Sequence, residues 1–162
     1  MTPQLLYGHD NLVCSWVANE LGVSEWLGDA AGIGVIRGTE FIAGVVYFAY
    51  RWPVVEMACA AVNSRWLTRP ILYELFRYPF EDLQCKRICA LVDVDNLRAR
   101  KFDEKLGFVQ EAVLKEAHPG GDVILYRMLK SECRWLDYGR QVLKNQNSSA
   151  ERAGNGQRAI AG

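Results

Sequence analysis

Residues 56–108 read EMACAAVNSRWLTRPILYELFRYPFEDLQCKRICALVDVDNLRARKFDEKLGF, and this stretch decides the fold. It opens on the end of an apolar strand, VVEMACAAVN, which passes through a polar loop, SRWLTRP, into an amphipathic helix, ILYELFRYPFEDL. A second apolar strand, RICALVDV, follows, and then a helix, NLRARKFDEKL, closed by Gly107-Phe108. Strand, loop, helix, strand, helix is a right-handed βαβα unit. The loop feeding the first helix presents unpaired N–H groups and the positive end of the helix dipole. That is where a phosphate would sit.

Outward from this unit the chain supplies more sheet. AGIGVIR and FIAGVVYFAYRW are β-branched, apolar runs around the turn Arg37-Gly38-Thr39-Glu40, which predicts an antiparallel hairpin. Gly34 and Gly44 inside these strands mark a bulge or a close approach. Val54–Val62 and Arg87–Val94 are the next two strands; the second is apolar enough to be covered on both faces. Upstream, Leu12, Val13, Trp16, Val17 and Leu21 have helical spacing, with Asp10 as N-cap and Gly22 as C-cap. Residues 1–8, broken by Pro3, make at most an edge strand, and 24–31 a short helix or loop with Trp26 buried.

Downstream, Ile71–Leu83 forms a helix that Pro79 kinks in its last turn. In the following helix Ala99, Phe102 and Leu106 make the inner stripe, and Arg98, Arg100, Lys101, Asp103, Glu104 and Lys105 the outer face. FVQEAVLKEA and DVILYRML are a final hairpin around His118-Pro119-Gly120-Gly121, and SECRWLDYGRQVL a short helix docked by Trp135 and Leu136. Residues 1–143 are expected to form one domain. Residues 144–162, rich in Asn, Gln, Ser, Gly and Ala, are expected to be a flexible tail, because such a composition cannot offset ordering entropy.

At 162 residues the chain can bury a core without staples. Lys plus Arg and Asp plus Glu number 19 each, so the zero formal charge argues against nucleic acid as a partner. The five cysteines, an odd count without a CxxC pair, read as buried hydrophobes of a reducing, cytoplasmic compartment. No metal site is expected, because no second closely spaced ligand pair joins Cys85 and Cys89. No apolar run reaches the ~18 residues of a membrane span.

The run CKRICALVDVDNLRARKFDEKLGFVQE resembles the Gcn5-related N-acetyltransferase family, closest to the branch that acetylates ribosomal-protein N-termini. Arg87 opens a strand, and Asn96, Ala99, Lys105, Gly107 and Phe108 fill the N-x-x-[SA]-x-x-x-x-x-K-x-G-F pattern in register. IAGVVY upstream and DVILYRMLKSECRW downstream agree with it, so the resemblance covers roughly residues 30–136. It implies an α/β (α+β, mixed-sheet) acyl-CoA N-acyltransferase fold with about six or seven mostly antiparallel strands and about four helices. Two central strands, Val54–Val62 and Arg87–Val94, would splay apart around acetyl-CoA, whose pantetheine amides pair with an exposed strand edge. The fold also commonly forms homodimers.

The resemblance also assigns residues. Cofactor binding falls on Ala60, Ala61 and Val62, on the loop Arg65, Trp66, Leu67, Thr68, Arg69 and Pro70 with Ile71, and on Asn96, Arg98 and Lys101. The family loop is [QR]-x-x-G-x-[GA]; here Thr68 and Pro70 stand at the glycine positions. Pro70 removes one N–H donor, Thr68 offers a hydroxyl or a helix cap, and Arg65 and Arg69 add charge. Trp66 either stacks on adenine or plugs the helix end. Asn96 caps its helix and bonds the cofactor arm; Arg98 and Lys101 either meet the 3′-phosphate or belong to a solvated helix face.

Glu56 is the candidate general base, set against a strand-end carboxylate facing solvent. Many members carry a tyrosine acid where this chain has Asp103, which is expected to be ionised on the outer helix face. Tyr126 is then the substitute acid, or else a core or rim tyrosine, and His118 a surface turn residue. The implied activity is N-acetyl transfer from acetyl-CoA to a primary amine of a protein, peptide or small molecule, by direct attack. The alternatives are a non-catalytic binding module that has lost the cofactor, and a transferase acting on aminoacylated RNA.

Overall fold

The computed structural model describes the backbone of residues 1–160 and side chains to residue 153. Seven strands form one sheet in the order β1-β2-β3-β4-β5-β7-β6. They are β1 Gln4–Leu6, β2 Ala31–Arg37, β3 Glu40–Arg51, β4 Val54–Ala61, β5 Arg87–Asp93, β6 Val109–His118 and β7 Gly121–Leu129. The helices are α1 Asp10–Leu21, α2 Arg69–Arg77, α3 Leu97–Leu106 and α4 Trp135–Ile160. Every strand pair is antiparallel except β4 with β5. The mixed sheet expected from the sequence is therefore present, with its single parallel pair at the centre.

The alternation of β4 divides the core. Met57 joins the main cluster with Ile71, Leu75 and Phe76 of α2, while Ala60 joins Val13 and Val17 of α1 on the opposite face. Glycine makes the α1 packing possible. A Cβ on Gly44 would stand 2.6 Å from Val17 Cγ2, and one on Gly32 2.7 Å from Val13 Cβ. Gly34 and Gly44 face each other across the β2–β3 ladder, so close approach is their role. On the other face, the buried Tyr47 hydroxyl donates to Leu75 O at 2.6 Å and ties α2 to β3.

Some local expectations change. Asp10 does not cap α1; its Oδ1 accepts from Gly32 N at 2.9 Å and pins the helix start to β2. Gly22 does close α1, at φ 68°. Residues 22–30 form bends and turns without a helix. Trp26 is there half-buried, donating to Cys14 O. After Arg77 the chain takes a π-helical turn, Tyr78–Asp82, at Pro79. Proline cannot supply the N–H an α-helix needs at that point.

The largest difference lies at the C-terminus. The helix expected to end near Leu143 continues to Ile160, through the stretch read as a flexible tail. Its first turns are anchored: Trp135 Nε1 donates to Leu106 O at 2.8 Å, and Gly139 lies so close to Tyr73 that a Cβ would meet the ring at 2.0 Å. From 144 to 153 its side chains are exposed, so this part is helical without tertiary burial. Residues 161–162 of the expected tail lie outside the described residues.

Candidate active site

β4 and β5 are hydrogen-bonded neighbours only at their beginnings, where Val54, Val55 and Glu56 pair with Arg87, Ile88 and Cys89. Beyond that point β4 stays with β3 as far as Ala61, and β5 stays with β7 as far as Asp93. The facing edges of Met57–Ala61 and Ala90–Asp93 therefore have no strand partner. Unpaired strand edges bind extended chains that bring their own amides.

Two connected hollows fill the gap. The inner one, about 310 Å³, lies between Met57 and Cys59 of β4, Ala90 and Val92 of β5, and Ala99, Phe102, Asp103 and Leu106 of α3. The outer one, about 470 Å³, is bounded by Glu20 of α1, Asn63 and Ser64 after β4, and Arg98, Lys101 and Lys105 of α3. Leu21, Cys59, Asn96, Ala99 and Phe102 line both, so they form one groove. Its floor is apolar and its mouth cationic, an arrangement suited to a long ligand with an amide arm and a phosphorylated end.

The loop at the mouth is built differently from the expectation. Thr68 caps α2, its Oγ1 accepting from Ile71 N at 3.4 Å, and Pro70 sits in the first turn without an N–H. Asn63 Oδ1 accepts from Arg65 N at 2.9 Å at the start of a 3₁₀ turn, Ser64–Trp66. Two loop amides are thus satisfied internally and a third is missing. Those of Leu67, Thr68 and Arg69 have no hydrogen-bond acceptor among the described residues. These three consecutive donors are what the loop retains for an anion.

Of the expected cofactor residues, Ala60, Ala61, Trp66, Asn96, Arg98 and Lys101 border the groove. Trp66 is only 2% exposed and belongs to the main core, so it plugs the loop and leaves no face free for stacking. Asn96 caps α3, Oδ1 accepting from Ala99 N at 3.2 Å. Val62, Arg65, Leu67, Thr68, Arg69, Pro70 and Ile71 do not line the groove, and Ile71 is buried in the core. Val62 points its N–H back to Ile42 O, extending the β3–β4 ladder.

Glu56 lies where the two strands part, half-buried, beside Arg51, Trp52, Pro53 and Cys89. Its carboxylate has no hydrogen-bond or ion-pair partner among the described residues, and burial raises its pKa. Tyr126 does not line the groove. It is 0% exposed, and its hydroxyl donates to Glu104 Oε1 at 2.8 Å beneath α3. Its place on β7, paired with Ala90, puts it in the core behind β5.

Asp103 is the residue the sequence reading misplaced. It was expected on the outer, ionised face of α3, and it lines the inner groove. Burial, and secondarily Glu104, raise its pKa to about 7. Cys59, opposite it on β4, is held protonated, its pKa raised to about 12 by burial and then by Asp103. The signal was available: Ala99, Phe102, Asp103 and Leu106 follow i, i+3, i+4, i+7 spacing. Lys105 was likewise missed at the mouth.

No family model matches the sequence, and no curated protein does. Solved structures are similar. Mutant forms of the spermidine/spermine N-acetyltransferase SpeG from Vibrio cholerae match with a TM-score of 0.67 at 18% identity, over 85% of this chain and 99% of that one. SpeG with manganese ions gives 0.64 at 17% identity, over 80% and 94%. A candidate acetyltransferase from T. thermophilus gives 0.55 at 26% identity, over 70% and 64%. With the strand order and the parting of β4 from β5, this likeness makes the fold that of the Gcn5-related N-acetyltransferases.

Proposed function

We propose that the protein is an acetyl-CoA-dependent N-acetyltransferase acting on a primary amine by direct attack on the thioester. The parting of β4 from β5 beyond Glu56 and Cys89 carries this reading. It leaves two unpaired edges over an apolar floor, with Arg98, Lys101 and Lys105 at the mouth. The donor fits these residues. The β4 edge from Met57 to Ala61 would hold the pantetheine amides, and Arg98, Lys101 and Lys105 at the mouth would hold the phosphates. Bound there, the donor supplies an activated acyl group.

Glu56 takes the role of base. Its desolvated carboxylate, without a protein partner among the described residues, binds a proton more readily than one in water and stands at the fork where β4 and β5 part, beside Arg51, Trp52 and Cys89. Positioning of the two reactants in the seam supplies much of the remaining acceleration. The acceptor is a primary amine of a protein, peptide or small molecule. Five free cysteines fit work in the reducing cytoplasm. Among the described residues no helix is long and apolar enough to cross a membrane.

A second reading, a binding module that has lost the cofactor, is favoured by the α2 loop, where Thr68 and Asn63 satisfy amides that an anion would use. Calorimetric titration with acetyl-CoA and with desulfo-CoA decides between the two. Micromolar binding of acetyl-CoA is expected. Silence up to millimolar concentration would overturn the enzyme reading and leave the binding module.

A further inference from the structure

The groove between β4 and β5 ends at the fork, and another hollow begins there. Met57 and Ala90 line the groove; Glu56 and Cys89, their neighbours on the same two strands, line the hollow beyond. This hollow, about 410 Å³, is walled by Arg51 at the end of β3 and by Trp52 in the turn that follows. A molecule in the hollow and a thioester at the inner end of the groove would therefore meet at the fork.

The β3–β4 ladder places the charges. Arg51 pairs with Val54, so the two stand on one face of the sheet. Glu56 lies two residues beyond Val54 on that face, about 7 Å along the strand. The guanidinium and the carboxylate are opposite in sign and border the same hollow, yet they form no ion pair. Neither has another hydrogen-bond or ion-pair partner among the described residues. Opposite charges held apart across a cavity match a ligand that carries both signs itself.

The turn bearing Arg51 and Trp52 is fixed in place. Pro53 O accepts from Lys86 N at 2.8 Å and from Arg87 N at 3.3 Å, which ties the turn to the start of β5. Lys86 Nζ lies 5.8 Å from the centroid of the Trp52 ring, a cation–π contact. The indole stays 60% exposed and offers an apolar wall beside the two charges.

We propose that this hollow is the acceptor subsite and that Arg51 sets its specificity: the acceptor is an amine carrying a carboxylate a few atoms away. This rests on the acetyltransferase reading above. The amine lies against Glu56. The carboxylate takes the Arg51 fork, whose paired N–H groups match two carboxylate oxygens. An acidic residue at a polypeptide N-terminus and a free acidic amino acid share this chemistry. A polyamine lacks it, because each further nitrogen would need a carboxylate of its own. Glu56 is the only acidic side chain among the described residues lining the hollow, and Arg51 and Lys86 place positive charge beside it.

Acceptor kinetics, read by release of the CoA thiol, test this. The panel is peptides that begin with Glu, Gln or Lys and are otherwise identical, with free glutamate and spermidine. The wild type should favour the Glu peptide over the Lys peptide on the order of 10-fold in kcat/KM. Arg51→Gln should erase that preference through KM, and Arg51→Glu should invert it, both at wild-type acetyl-CoA affinity. A merely structural role for Arg51 would move every acceptor together. Free glutamate ahead of the peptides would name an amino acid as the source of the carboxylate, and the Glu peptide ahead would name a polypeptide; either supports the proposal. Equal use of the three peptides, a preference for spermidine, or an unchanged ranking in Arg51→Glu would overturn it. So would acetyl-CoA binding without turnover of any acidic acceptor. Failure of the wild type to bind acetyl-CoA would instead overturn the acetyltransferase reading.

Discussion

The two halves of the β4–β5 seam contrast in what they do with the same backbone. At the closed end, Val54–Glu56 and Arg87–Cys89 satisfy each other, and Arg87 adds an ion pair with Glu111. At the open end, Met57–Ala61 and Ala90–Asp93 face each other unpaired over an apolar hollow. The carboxyl groups repeat the contrast. Asp82, Glu111 and Asp122 are salt-bridged on the surface, while Glu56 and Asp103, at the fork and in the hollow, have no partners among the described residues. Stability resides where groups are paired, and binding capacity where they are left unpaired.

The sharpest way to break this comparison is at the fork. Glu56→Gln removes the base and keeps the shape, so kcat should fall on the order of 100-fold while acetyl-CoA affinity holds. Steady-state kinetics with calorimetry checks both. Equal loss of binding would show that Glu56 shapes the groove and does no proton transfer.

Next in size is a stability effect at Asp103. Its pKa is raised in the folded state, from 3.8 to about 7, so folding retains a proton that the unfolded chain releases. The folded state therefore loses stability as pH climbs through this window, and the loss is complete above it. Asp103→Asn is spared that loss. Relative to wild type it should gain about 2 kcal/mol in urea unfolding between pH 5 and pH 8. A constant difference across that range would show that Asp103 reaches solvent.

The smallest effect concerns the mouth of the open half. Thr68→Ala deletes the α2 cap and frees Ile71 N. It should cost about 1 kcal/mol by urea unfolding. No loss would mean that the loop holds its shape through Trp66 and Asn63 without the cap.

Much of this was legible in the chain. The period-two runs and the turn at Gly38 gave the hairpin, the Arg87–Phe108 pattern gave β5 and α3, and the glycines signalled the close approach of α1. Asn96 was legible as the cap of α3 because caps leave a local signature, and Arg98 and Lys101 stand on the helix face the sequence exposed. Asp103 was misread because a charged residue between Phe102 and Glu104 reads as surface by type, although its helical phase is that of Ala99 and Leu106. Tyr126 kept two readings, acid or core, because a strand residue does not announce which face is covered; the structure buries it. From 144 to 153 the helix is exposed, in keeping with a composition that lacks a core-forming stripe, and it continues from a start anchored by Trp135 and Gly139.

By itself, then, the sequence determined most of the elements and their order, because periodicity, caps and turns are local properties of the chain, while its resemblance to a family rested on the motif from Arg87 to Phe108. Only the tertiary structure decided where β4 leaves β5, which carboxyl groups lose their water, and that Trp66 is core. Those outcomes depend on residues far apart in the chain competing for the same space, and burial, which shifts a pKa or fills a groove, exists only once they have met.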